Sequence, residues 1–254
     1  MPTTWEDAAR DDALSELHDE AIMARAAMEQ AIFVFVEGDS EEMALPFLFE
    51  DVLDLCAVGA KLANYNGRGN LRAALRLLRL TLDHSRPVVV THDNDPESII
   101  SVNRCAKEGL LEGATHVLPL PVVPVVTYPN GHVGGAFEEC FPVDVFLDAA
   151  FTDEILPRPV VGQRGAFERF FDPTKPWFAQ LRSFCAENGV LDLPIRKPLL
   201  AKRLANSCDD LPLSFSRLVA LIRRIRAEHP VTSPTDVELP RVHGLTYFPE
   251  KETS

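Results

Sequence analysis

Nothing in this chain offers a membrane span, a disulfide framework or a nucleotide-phosphate loop. No apolar window approaches the roughly twenty residues that a spanning helix requires. The N-terminus is acidic and polar where a secretory leader would be basic and then apolar, so a cytoplasmic location is the expectation. Cys56, Cys105, Cys140, Cys185 and Cys208 are odd in number, scattered and without a Cys-x-x-Cys pair, which argues for reduced thiols and against a zinc cluster. Internal repeats and low-complexity blocks are absent. Basic residues are scarce: 25 Lys and Arg face 38 Asp and Glu, for a net charge of -13. That balance argues against holding nucleic acid by general electrostatics. A phosphoryl-transfer enzyme stays open, because such sites are acidic until cations meet the phosphate.

What is present is 254 residues with 46% hydrophobic content, enough for one large α/β domain with appendages. The organising stretch is Ile32-Phe33-Val34-Phe35-Val36-Glu37-Gly38-Asp39-Ser40-Glu41-Glu42. Its consecutive apolar residues read as a strand buried on both faces, as in parallel sheets flanked by helices. Glu37 then stands at the strand's carboxyl end, where open α/β sheets bind ligands. Gly38 permits the turn, Asp39 or Ser40 is expected to cap the next helix, over residues 41 to 53, and Glu41 falls in its first turn. Pro87 to Asp95 repeats the theme, another apolar run ending in Asp93 and Asp95. Two positions apart on an extended segment, those carboxylates project the same way and could grip one hard cation.

Around these stretches the chain divides into 1–30, an N-terminal amphipathic helix; 31–205, the central domain; and 206–254, a final helix and irregular tail. Leu14, Leu17, Ala21, Ala24 and Met28 form a seam for docking or oligomerisation. Asn66-Gly67-Arg68-Gly69-Asn70 is a turn, serving either to reverse the chain or to approach a phosphate. The helix after it aligns Arg68, Arg72, Arg76 and Arg79 in a stripe, either a solvated face or a nucleic-acid track. Thr115 to Leu120 is a fourth strand, and the three prolines from Pro119 onward mark an edge or extended connection. Tyr128 to Gly135 reads as loop, and 152–177 as a long functional loop or mobile insertion. Helices are expected over 177–189 and 213–228, the latter with Arg217, Arg223, Arg224 and Arg226 outward.

Glu37-Gly38-x-Ser40-Glu41 followed by Asp93-x-Asp95 resembles the Toprim domain, in the flavour of the overcoming-lysogenization-defect (OLD) nucleases, over roughly residues 31 to 205. The resemblance implies a Rossmann-like, parallel-centred sheet of about four strands between helices. It also implies a Ser-x-Glu element, matched by Glu138 with Glu139 as the fallback and with Ala136 in place of the serine. A late lysine before an apolar helix is matched by Lys197, with Lys202 second. The implied activity is metal-dependent nucleic-acid cleavage, DNA favoured. A separate ABC-type ATPase is the implied partner, since this sequence holds no Gly-x-x-x-x-Gly-Lys-Ser/Thr, and an anti-phage defence system is the implied setting. An RNA- or tRNA-directed nuclease and a non-catalytic assembly subunit are the alternatives.

The ligand set expected is Glu37, Glu41, Asp93, Asp95 and Glu138, oxygen donors throughout. Such hardness selects Mg2+ or Mn2+ over zinc, and the ligand number suits two ions acting in line at a phosphodiester. Glu37 and Lys197 are the catalytic candidates, with Lys197 offsetting charge on the pentacovalent phosphate. Arg68, Arg72, Arg76 and Lys202 are the candidate nucleic-acid contacts.

Overall fold

A computed structural model describes residues 30–81, 87–189 and 197–231. The expected N-terminal seam helix and the tail beyond 231 lie outside the described residues.

Four strands form one sheet in the order β2-β1-β3-β4, each pairing parallel: β1 (Ile32–Val36), β2 (Ala60–Asn64), β3 (Val88–Asp93) and β4 (Thr115–Leu120). The expected parallel-centred sheet of about four strands is therefore present. Strand alternation sends Ile32, Val34 and Val36 into one core and Phe35 into another, so β1 is buried on both faces. The first core is covered by α1 (Asp39–Phe49), the second by α2 (Leu71–Thr81) and α3 (Pro96–Lys107). From β1 the chain moves first to β2 on one side and then to β3 on the other. That reversal opens a crevice at the carboxyl ends of β1 and β3, where open sheets of this kind bind ligands. Pro119 is tolerated in β4 because that strand is an edge.

Helix α1 begins earlier than expected and ends at Phe49. Neither Asp39 nor Ser40 caps it. Gly38 holds the N-cap position in extended conformation, and the Glu41 carboxylate reaches back to the Gly38 N–H at 3.2 Å. Part of the expected loop is strand: Val133–Gly134 (β6) pairs with Val126–Thr127 (β5), just before that loop, as a small antiparallel hairpin. Its Gly134 lies so close to β3 that an added Cβ would sit 1.8 Å from the Asn94 carbonyl oxygen. That approach delivers the following 3-10 turn, Phe137–Cys140, to the end of β3.

The largest difference from expectation is the segment 152–177, which is folded and anchored by buried apolar side chains. After α4 (Val143–Ala150) it forms α5 (Arg158–Val161) and α6 (Arg164–Phe170) before α7 (Trp177–Glu187). Helices this short show no periodicity, so Pro and Gly dominated the sequence pattern. Burial tells otherwise: Ile155, Leu156, Val160 and Phe167 enter the first core, and Phe167 meets the rings of Phe151, Phe170, Phe171 and Phe184. Helix α8 (Lys197–Asn206) packs along α1, and α9 (Leu213–Glu228) turns Phe215, Leu218, Val219, Ile222 and Ile225 into the same core. Two arginines of α9 do not simply face solvent: Arg223 donates to the Val52 carbonyl, and Arg226 to those of Val58, Gly59 and Gln30.

Phe167→Ala should cost about 3–5 kcal/mol in a urea unfolding experiment, the usual range for truncating a fully buried phenylalanine. A change near zero would restore the mobile-insertion reading of this segment.

Candidate active site

The site assembles from the strand ends upward. Glu37 directly follows β1 and Asp93 closes β3, and the two strands are neighbours. Their contact is direct: the Asp93 N–H donates to Glu37 Oε2 at 3.0 Å. The Ser98 hydroxyl lies 3.1 Å from Glu37 Oε1 and 3.0 Å from Oε2, and the Tyr65 hydroxyl lies 3.4 Å from Oε2. Glu41, one helical turn on, is buried beside them, and Glu138 arrives on the 3-10 turn at 1% exposure. Lys197, the first residue of α8, places its ammonium 3.2 Å from Glu138 Oε1 and over the Phe178 ring. Glu37, Glu41, Asp93, Glu138 and Lys197 thus share one pocket of charge, as their mutual electrostatic influence reflects.

Packing carboxyls together out of water has a cost that shows in their proton affinities. Burial, opposed by Lys197 and reinforced by Glu37 and Glu138, pushes Glu41 up from 4.5 to about 7. Burial likewise pushes Asp93 well above its ordinary value, with Glu41 adding repulsion. Lys197 is driven upward chiefly by Glu138, so its ammonium stays charged.

The other expected residues have different settings. Asp95 is the N-cap of α3, its Oδ1 accepting the Ser98 N–H at 2.6 Å, and Arg68 approaches its Oδ2 at 3.4 Å. The chain leaves the strand at Asp93, so the alternation that would have paired the two aspartates stops there. Glu139, the fallback for Glu138, receives N–H groups from Ala136 at 2.6 Å and Trp177 at 2.7 Å, and so stitches the 3-10 turn to α7. Arg68 also pairs with Glu97, while Arg72 and Arg76 share Glu108 and Arg79 bonds the Leu110 and Glu112 carbonyls. The arginine stripe therefore ties α2 to α3. Lys202 lies with its ammonium 4.7 Å from the centre of the Phe47 ring, farther along α1.

Tyr65 and Ser98 escaped the sequence reading. Tyr65 follows β2 on the same carboxyl edge that singled out Glu37, so the same rule applied to β2 would have found it. Ser98 sits at the third position of a helix opened by Asp95-Pro96, a position usually read for capping alone.

A hard cation fits this chemistry. Among the described residues, no hydrogen bond reaches the buried Asp93 Oδ1 or Glu138 Oε2, and Glu138 Oε1 meets only the Lys197 ammonium. Unpaired buried carboxylate oxygens are costly, and a divalent cation bound by oxygen donors satisfies them. Among the described residues, no group of three His, Cys, Asp or Glu side chains is already arranged to hold a metal ion.

Residues 32–95 match the family described as overcoming lysogenization defect protein-like, TOPRIM domain. The stretch from β1 to the cap of α3 is thus similar to an OLD-like Toprim domain. The matched Toprim stretch includes Glu37, Glu41, Asp93 and Asp95 and ends before Glu138 and Lys197, which reach the same place through the hairpin and α8. Among solved structures, the C-terminal region of the Xanthomonas campestris pv. campestris OLD protein is 18% identical, with a TM-score of 0.48, covering 79% of this chain and 95% of its own. The C-terminal region of the Burkholderia pseudomallei OLD protein is 17% identical, with a TM-score of 0.47, covering 77% and 98% respectively. No curated protein sequence matches the chain. No described helix is long and apolar enough to cross a membrane.

The Glu41 carboxyl binds its proton more tightly folded than unfolded, so the stability it lends is complete below pH 4.5 and is lost as pH rises through about 7. In chelator, Glu41→Gln should match the wild-type melting temperature near pH 4.5 and exceed it at pH 8. A difference that does not vary with pH would contradict the burial argument.

Proposed function

We propose that this chain is a divalent-metal-dependent nuclease that hydrolyses nucleic-acid phosphodiesters, with Mg2+ or Mn2+ as cofactor and DNA as the favoured substrate. The observation that carries the reading is the meeting of Glu37, Glu41, Asp93 and Glu138 with Lys197 at the carboxyl ends of β1 and β3. Those four carboxylates, together with Asp95 at the cap of α3, would hold the cofactor. Such ions, when bound, supply Lewis acidity at the phosphate and an activated water.

The protein's own groups have distinct tasks. Glu37 is held by hydrogen bonds and so stays in place as its neighbours change partners. Lys197 keeps its proton and stands at the mouth of the acid pocket, where its charge can meet the developing negative charge of a phosphate under attack. Arg72 and Arg76 reach a backbone phosphate only by exchanging Glu108 for it, and Arg68 only by exchanging Asp95 and Glu97, so substrate grip falls first to Lys202 and a partner subunit. With a net charge of -13, a nuclease working beside a separate ABC-type ATPase in anti-phage defence is the setting we favour.

Plasmid DNA and structured RNA should be incubated with Mn2+ and either wild type or Asp93→Ala. The expected result is nicking of the plasmid by wild type and a loss on the order of a hundred-fold in the variant, the scale seen when one charge-stabilising group is removed. Cleavage of RNA alone would reassign the substrate, and cleavage of neither would favour an assembly role. In a separate thermal-shift measurement, Mn2+ at about 100 times its Kd should stabilise wild type by about 2.7 kcal/mol. Asp95→Asn should lose most of that shift while retaining its metal-free melting temperature, because asparagine caps a helix as well as aspartate does. An undiminished shift would remove Asp95 from the ligand set.

A further inference from the structure

Ser98 touches two of the proposed ligands at once. Its backbone N–H donates to Asp95 Oδ1 at 2.6 Å, and its hydroxyl sits astride the Glu37 carboxylate, within 3.1 Å of one oxygen and 3.0 Å of the other. The residue is 1% exposed, so water does not compete for either bond. Tyr65 is a weaker rival for Glu37: its hydroxyl lies 3.4 Å from Glu37 Oε2 but 3.0 Å from the Thr91 carbonyl, and its single proton goes to the nearer acceptor. Glu37 Oε2 also takes the Asp93 N–H, whereas Oε1 is engaged by Ser98 alone among the bonds seen. Oε1 is therefore the oxygen with room for a further partner.

We propose that Ser98 is a positioning residue of the acidic site: one side chain and its own amide fix Glu37 from β1 and Asp95 from the cap of α3 in a single relative orientation, presenting Glu37 Oε1 to a divalent cation. The inference rests on the reading of this cluster as a cation site. Its physical basis is repulsion. Glu41, Asp93 and Glu138 all disfavour a carboxylate beside them, and a glutamate with free terminal torsions would turn away. A hydroxyl bridging both oxygens holds the carboxylate plane, and the first turn of α3 adds the favourable field of a helix N-terminus. Partners of this kind, which touch the ligand and not the metal, commonly change metal affinity by about 10–100-fold.

The test is Mn2+ binding, read on the full chain from the loss of the free-ion EPR signal, for wild type, Ser98→Ala and Ser98→Thr, with circular dichroism and denaturant unfolding of each metal-free protein alongside. Expected are a fold retained in all three, an affinity roughly ten-fold or more weaker in Ser98→Ala, and recovery in Ser98→Thr, which restores the hydroxyl. Wild-type affinity in Ser98→Ala overturns the proposal. Equal weakening in both variants does so too, since that marks a packing requirement and not a hydroxyl. Loss of the fold in Ser98→Ala likewise overturns it, because a positioning role leaves the fold intact. A wild type that binds no Mn2+ strikes at the cation-site reading itself, which is a separate failure.

Discussion

Four carboxyls that repel one another share one water-poor crevice, and the surrounding structure answers that repulsion four different ways. Glu37 is given hydrogen-bond donors, from Asp93 and Ser98. Glu41 is given a place at the start of α1, where the Gly38 N–H and the positive end of the helix favour it, and it still holds its proton up to about pH 7. Glu138 is given Lys197, and Asp93 is left with a buried oxygen that no hydrogen bond among the described residues satisfies. A core built for stability alone would have replaced this group with apolar side chains, since buried ionic clusters rarely stabilise. Local rules broken together at one sheet edge point to chemistry.

The route by which these residues arrive explains why the domain needs more than its sheet. The reversal of strand order places Glu37 and Asp93 side by side. Glu138 and Lys197 come from more than forty residues further on, carried by the hairpin that Gly134 lets approach β3 and by α8 lying along α1. The aromatic cluster around Phe167 holds α5, α6 and α7 on the same core and so supports both deliveries from behind.

Much of this was legible in the residues. The Ile32–Val36 run ending in Glu37, and the Val88–Val90 run ending in Asp93, identified two parallel strands and their chemical ends because burial on both faces leaves an uninterrupted apolar signature. The face of α9 was legible for a similar reason: sixteen residues give a helical period room to show. Short elements gave no such signal, so α5 and α6 looked like loop. Charge was harder still. A sequence pattern counts Arg72, Arg76 and Arg226 as exposed, but cannot say that Glu108 takes the first two or that backbone carbonyls take the third. Asp95 shows the same ambiguity, because one carboxylate can serve a helix end and a charge cluster together.

Arg226 has a topological meaning beyond its hydrogen bonds. Its guanidinium reaches the carbonyl of Gln30, which leads into β1, and that of His229, which follows α9, so the two ends of the described body meet at one side chain. They meet at the amino ends of the strands, the pole opposite the acids. The body of residues 30–231 is suited to circular permutation, its two ends being near enough for a brief linker. Both ends of that body thus open on the side away from the carboxylates, so the two poles of the sheet divide entry of the chain from chemistry.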